Sequence, residues 1–199
     1  MQSQTRITGA TLHAFIEQRR KADERVFGIV DAGRDKELAF EGALRWGWRL
    51  QWLFGEDALP RMRDVAPYLV PIVYRPRYPY AESEYLDLWS DRLGGSAGIL
   101  LLSEAAVDEV WIHLRSIFRR TDDEGRVYYS RFYDPRVTRQ LLPDLAGEQV
   151  GEFFGPIGGI LVEAEDPAHL LICRPGEETV EIEEEPLVPV GDAVNPRST

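Results

Sequence analysis

The chain has 199 residues, 44% of them hydrophobic, a formal net charge of −11 at pH 7 and one cysteine. That length supports one domain with a proper core, and the composition excludes both a disordered chain and one carrying the roughly 18 apolar residues needed to cross a bilayer. The acidic balance argues against nucleic acid, which needs clustered cations, and a single cysteine excludes an internal disulfide or a cysteine-based zinc site.

Cys173 lies in the apolar run Leu170-Leu171-Ile172-Cys173 and reads as a buried core thiol. Met1 to Ala10 is polar and lacks the apolar stretch of a secretory signal, so a reducing, cytoplasmic setting is expected. Lys21 and Lys36 are the only lysines, and the remaining cations are arginines, whose planar fork suits paired contacts with carboxylates.

In chain order, Leu12, Phe15 and Ile16 fall at helical spacing and predict an amphipathic helix over 11–25. Val26 to Val30 reads as a strand ending in the turn Asp31-Ala32-Gly33. Residues 35–54 carry Phe40, Trp46, Trp48, Trp52 and Phe54, and suggest a short helix followed by a strand. A second strand spans 67–73, where Pro71 points to an edge position or a bulge. Tyr85, Leu88 and Trp89 place a helix over 81–93, ended by Gly94-Gly95. Ala97 to Leu102 reads as a buried strand, and Ser103 as the cap of a helix running from Glu104 to Phe118 with Val107, Val110, Trp111, Leu114 and Phe118 on one stripe. A strand over 127–132 follows the turn Asp123-Glu124-Gly125, and Asp134-Pro135 starts another helix. Phe153 to Ile157 reads as an aromatic turn, and 159–164 with 168–173 as an antiparallel hairpin.

These elements predict an α/β (α+β) fold: a single domain over 1–176 with a mixed central sheet flanked by helices and a C-terminal hairpin. The sheet should include the strands near Val26, Tyr68, Ile99 and Val127. Residues 177–199, with six glutamates between Glu177 and Glu185 and prolines at 186, 189 and 196, read as an acidic arm, mobile or ordered only where it adds to the hairpin or meets a partner.

Chemistry-bearing patterns are sparse. His13, His113 and His169 sit in distant segments without a second metal-type ligand at helical or hairpin spacing. There is no Walker phosphate loop, no complete G-x-G-x-x-G after a strand and no G-x-S-x-G elbow, and Gly94-Gly95-Ser96-Ala97-Gly98 precedes a strand instead of opening a helix. No cofactor and no metal are therefore expected. Asp31 ends a strand and Asp134 starts a helix; both can bond nearby backbone N–H groups, and both also occupy places where catalytic acids occur. Two function classes stay open: a protein-binding module, and a small hydrolase or nuclease using Asp31, Asp134 and His113. The cluster Trp46, Trp48, Trp52 and Phe54 either covers one side of the sheet or forms a partner-binding surface of the kind rich in interface anchors.

The second half carries an ordered set of motifs: Gly98-Ile99-Leu100-Leu101-Leu102-Ser103, His113-Leu114-Arg115, Arg131-Phe132-Tyr133-Asp134-Pro135-Arg136-Val137 and Phe153-Phe154-Gly155-Pro156-Ile157. Upstream, Phe27-Gly28-Ile29-Val30-Asp31-Ala32-Gly33 and Ala66-Pro67-Tyr68-Leu69-Val70 fit the same pattern. Over roughly Val26 to Cys173 the chain resembles the type VI secretion effector chaperones, or adaptor proteins, a family first described as a domain of unknown function. The resemblance implies a non-enzymatic bacterial protein that binds a secreted effector in the cytoplasm. It further implies help in loading that effector onto the VgrG spike, sometimes with a PAAR-domain tip, with neither nucleic acid nor a membrane span involved. Ala97 departs from the pattern, where the family often has tryptophan.

Of the motif residues Asp31, His113, Arg115, Arg131, Asp134 and Arg136, a structural role is expected. Phe132 can face the core while Arg131 faces the other way, and Asp134 caps the next helix. Arg136 in the first turn is unfavourable to the helix dipole unless a carboxylate answers it, which points to a partner such as Asp31 or an effector carboxylate.

Overall fold

A computed structural model of the protein describes residues 9–54, 59–73 and 76–187. At its centre lies β1 (Arg25–Asp31), an apolar run buried on both faces, between β3 (Pro67–Ile72) and β4 (Gly98–Ser103). Gly28 sits opposite both Val70 and Leu100. Adding β2 (Gln51–Trp52), β7 (Gly159–Glu163), β8 (His169–Pro175) and β9 (Val180–Pro186) gives a seven-stranded sheet in the order β2-β3-β1-β4-β7-β8-β9. The fold is α+β, as expected. The sheet is antiparallel at every pairing instead of mixed, because each neighbour is reached by a reversal and not by a parallel crossover.

The helices are α1 (Gly9–Arg19), α2 (Lys36–Trp46), α3 (Ala81–Ser90), α4 (Val107–Phe118), α5 (Pro135–Leu141) and α6 (Glu148–Phe154), with 3-10 turns at Pro60–Val65 and Leu142–Asp144. α1 stops well before the expected end at residue 25, because the buried Glu24 carboxylate folds back to accept the Lys21 N–H at 2.8 Å. α1 and α2 both pack on α3, whose Trp89 covers Gly28; a Cβ built there would lie 2.6 Å from the indole. Side chains alternate along a strand, so Asp31 shares the face opposite to Gly28, on which α5 begins. Around α5 and α6 the aromatic rings of Phe118, Phe132, Tyr133, Phe153 and Phe154 form a linked set.

Several local expectations change. The strand near Val127 does not join the main sheet: β5 (Arg119–Thr121) and β6 (Val127–Tyr129) make a separate exposed hairpin, whose Tyr129 packs on Phe54 and Phe118. Ser103 does not cap α4, which starts at Val107 after Ala106; its hydroxyl instead donates to the Pro156 carbonyl at 2.6 Å and accepts from the Ala105 N–H. Trp111 is half-buried, and its indole N–H donates to the Trp52 carbonyl at 2.9 Å. The aromatic turn begins inside α6. Pro71 lies opposite Phe27 of β1, and β2 pairs only with Tyr68 and Leu69, so the missing N–H falls where the outer strand has ended.

The first part of the acidic arm is ordered where it adds to the hairpin, one of the alternatives expected for it. Residues 180–186 form β9 and pair with β8 along its whole length, Cys173 opposite Ile182. Charged residues along an outer strand discourage pairing with another chain, which accounts for a glutamate-rich sequence in ordered structure. Residues 188–199 lie outside the described residues.

Cys173 is buried on β8, and burial pushes its thiol up to about 12. A thiol-labelling time course on the native chain at about pH 8 should therefore show almost no reaction until denaturant is added. Rapid labelling of folded protein would mean that β8 opens to solvent.

Candidate functional site

The expected aromatic surface is largely interior. Trp46, Trp48 and Phe54 are buried, and Trp52 is half-buried. Gly47, with φ 67°, ends α2 in a left-handed turn that folds Trp48 back over Gly42, where a Cβ would collide with the indole. Trp46 and Trp48 lie tilted against each other with centroids 5.1 Å apart and meet Tyr85 of α3, while Phe54 meets Phe118. For three of the four the surface is corrected to core: the α2 end, the Gly47 turn and Tyr85 enclose Trp46 and Trp48, and Phe118 and Tyr129 enclose Phe54, while Trp52 stays half-buried.

The motif residues gather elsewhere. β1 ends at the buried Asp31, whose N–H donates to Ala97 at 2.9 Å and whose Oδ1 accepts from the Gly33 N–H at 2.9 Å. Across from it, Arg131 donates through one nitrogen, Nη2, to Asp31 Oδ2 and Asp134 Oδ2, both at 3.3 Å. Asp134, 2% exposed, caps α5 by accepting the Arg136 N–H at 3.1 Å. It also holds the Arg136 guanidinium on both oxygens, Nε to Oδ1 at 3.0 Å and Nη2 to Oδ2 at 2.6 Å. Arg34, from the turn after β1, adds an ion pair to Asp134 at 3.8 Å. The partner of Arg136 is thus its own helix cap, not Asp31.

Asp31, Arg34 and Arg131 line an open cleft of about 630 Å³, bounded also by Gly33, Val65, Gly95 and Tyr133, and Asp134 joins it through its contacts with Arg34 and Arg131. Its Gly95 wall is held from beneath by Glu163, a buried carboxylate at the end of β7. Glu163 accepts from the Gly94 N–H at 2.7 Å and from the N–H and hydroxyl of Ser96, each at 3.0 Å. The α5 side is held by the buried Thr138 hydroxyl, which donates to Phe132 at 2.6 Å. Sequence reasoning missed Arg34, Tyr133 and Glu163. A glutamate closing the apolar run Gly-Ile-Leu-Val is a legible sign of a buried charged acceptor.

Electrostatically the cleft and the α5 cap beside it set two buried aspartates against three arginines. Hydrogen bonds from Arg136 hold the Asp134 carboxyl below its ordinary range, outweighing the opposing effect of burial. Burial, helped by the nearby Asp31 charge, pushes the Tyr133 phenol up to about 12, so it is neutral at physiological pH. A depressed folded pKa means that Asp134 contributes stability fully above its unfolded value and loses it as pH falls through the folded one. Urea melts of wild type and Asp134→Asn should differ by a steady amount near neutral pH and converge only in acid, as pH falls through the depressed folded value. A constant gap down to acid would show that Asp134 acts by shape and not by charge.

The three residues of the hydrolase alternative do not come together. His113 Nε2 bonds the Phe153 carbonyl at 2.8 Å, and the ring fills the space that a Cβ on Gly155 would occupy. Arg115 stacks over Trp111 at 4.7 Å and stands apart from the cleft. Among the described residues, His13, Glu17 and Glu82 could approach a common ion. There, however, Arg20 clamps both Glu17 oxygens, at 2.6 and 2.9 Å.

Fold and site together define an antiparallel α+β protein with an arginine-faced cleft built at the end of its central strand. Residues 26–152 match the family described as a domain of unknown function (DUF4123), and the chain belongs to that family. No curated protein and no solved structure matches it. Among the described residues no helix is long and apolar enough to cross a membrane.

Proposed function

We propose that the protein is a cytoplasmic adaptor that binds a secreted effector protein and helps deliver it to a VgrG spike, with or without a PAAR-domain tip. The observation that supports this reading best is how the acids of the cleft are occupied. Asp31 and Asp134 are spent on backbone N–H groups and arginines, and His113 is spent on Phe153. A general base must reach a substrate proton, and a carboxylate chelated by a guanidinium is a poor one. What the cleft turns outward is guanidinium, which serves recognition. The ordered motifs that resemble the effector chaperones include the segments carrying Asp31, Arg131, Asp134 and Arg136, so resemblance and cleft coincide on the same residues.

The test is co-expression with the protein encoded by the adjacent gene, followed by size-exclusion chromatography and, separately, mixing with purified VgrG. Co-elution of a stable complex is expected. Separate elution from every neighbouring gene product and from VgrG would defeat the adaptor reading. Metal-dependent hydrolysis lost in Asp134→Asn would replace it with the enzymatic one.

A further inference from the structure

The charges of the cleft do not cancel, and the surplus sits at its mouth. Asp31 and Asp134 are buried, whereas the side chains of Arg34 and Arg131 are 33% and 51% exposed. Arg136 directs its Nε and Nη2 at Asp134 and does not line the cleft. Arg131 uses a single nitrogen at 3.3 Å for both of its acids, and Arg34 stands at 3.8 Å, outside hydrogen-bond range. Among the described residues, these two guanidinium groups therefore retain donors that face the cleft. A guanidinium fork is satisfied best by a planar carboxylate accepting two parallel hydrogen bonds.

We propose that the cleft is a receptor for a carboxylate carried by the partner protein, an acidic side chain or a chain-terminal carboxylate taken by Arg34 and Arg131. This rests on the adaptor reading. Two features favour a carboxylate over a phosphate. The surplus is one positive charge, and Asp31 and Asp134 touch the same arginine, so a dianion would meet repulsion that a single negative charge largely escapes. The cleft is larger than the anchoring group, and Gly33 and Gly95 leave room for backbone flanking it beside the half-exposed Val65. The chain's net charge of −11 sets a second condition on the partner. Long-range repulsion would keep a strongly acidic protein away, so the carboxylate must be a local anchor on a surface that is neutral or basic overall.

Two measurements on the full chain test this. In the first, arginine side-chain N–H resonances are followed by NMR during titration with a capped Gly-Gly-Glu-Gly-Gly peptide, its glutamine counterpart, and inorganic phosphate. Saturable shifts at Arg34 and Arg131 with the glutamate peptide alone are expected, with Arg136 little moved. Equal shifts with the glutamine peptide, no shifts, or tighter saturation by phosphate would each overturn the proposal. In the second, Arg34→Ala and Arg131→Lys are assayed for capture of the co-encoded protein. Each should weaken capture about tenfold or more, as expected for lost hydrogen bonds to a charged group. Arg34→Ala removes only a long ion pair, so it keeps the test meaningful if Arg131→Lys disturbs the fold. Wild-type capture with both variants unaffected overturns the carboxylate assignment alone. Wild type that captures nothing overturns the adaptor reading, and the partner assignment with it, even if the peptide binds.

Discussion

Replacing Gly98 with alanine should be the most damaging single-methyl change in the chain. β4 runs beside β1 at the centre of the sheet, and a Cβ on Gly98 would overlap the Ile29 carbonyl oxygen of the neighbouring strand, with the Val30 Cα 3.1 Å away. Both obstacles are backbone, so no rotamer change relieves them. The strands must separate, and the Asp31 N–H bond to Ala97, next to Gly98, goes with them. A loss of about 3 kcal/mol or more is expected, at the upper end for overpacking. The contrast is Gly47→Ala, where φ is 67° but nothing lies within 4 Å of the added atom. There the cost is only the left-handed backbone, about 1 kcal/mol. Urea melts of both variants decide the matter, and equal losses would mean that contact between β1 and β4 is looser than described.

Glu24→Ala is the second large effect. Glu24 is 1% exposed and accepts from Arg174 at 3.0 and 3.3 Å and from the Lys21 N–H. Arg174 also donates to the carbonyls of Gly158 and Arg19, at 2.8 and 2.7 Å, so one ion pair ties the end of α1 to β8 and to the turn before β7. Removing the acid leaves a mostly buried guanidinium without its counter-charge, a change that costs about 3–5 kcal/mol. The pair is separate from the cleft. Melting temperature should therefore fall sharply, while capture of the partner, measured well below the transition, stays near wild type. Lost capture at a temperature where the variant is still folded would tie this corner of the sheet to binding.

The sequence was most informative where a local rule acts alone. Asp134-Pro135 starts α5 as its pattern says, and the apolar runs at Val26, Tyr68, Ile99 and Gly159 are all strands. It was less informative where two rules compete for the same residues. The glutamates of 177–185 look like a solvated arm, yet Val180, Ile182 and the register with β8 make those from Glu181 onward part of an outer strand. Val127 to Tyr129 has strand-like composition, but composition does not say which strand it pairs with, and it pairs with Arg119 to Thr121. Aromatic density at 46–54 could equally serve a core or an interface; the deciding fact is the fold-back at Gly47 over Gly42, which no periodicity announces.

The cleft was half legible. Asp31, Arg131, Asp134 and Arg136 were all singled out from their motifs, but not their pairing. An arginine two residues after a capping aspartate can chelate that same side chain, a local geometry that competes with any distant partner. Arg34 enters from a different segment, and only the turn after β1 brings it to Asp134.

Hydrogen exchange on the free chain and on its complex with the co-encoded protein tests the central claim most directly, because it reports both whether a complex forms and where. Protection gained on binding should concentrate at the backbone around Gly33-Arg34, Val65, Gly95 and Arg131 to Tyr133, with little change at the already buried Trp46 and Trp48. A stable complex whose protection lies wholly elsewhere, or no complex with any neighbouring gene product or spike protein, would contradict a cleft-based adaptor.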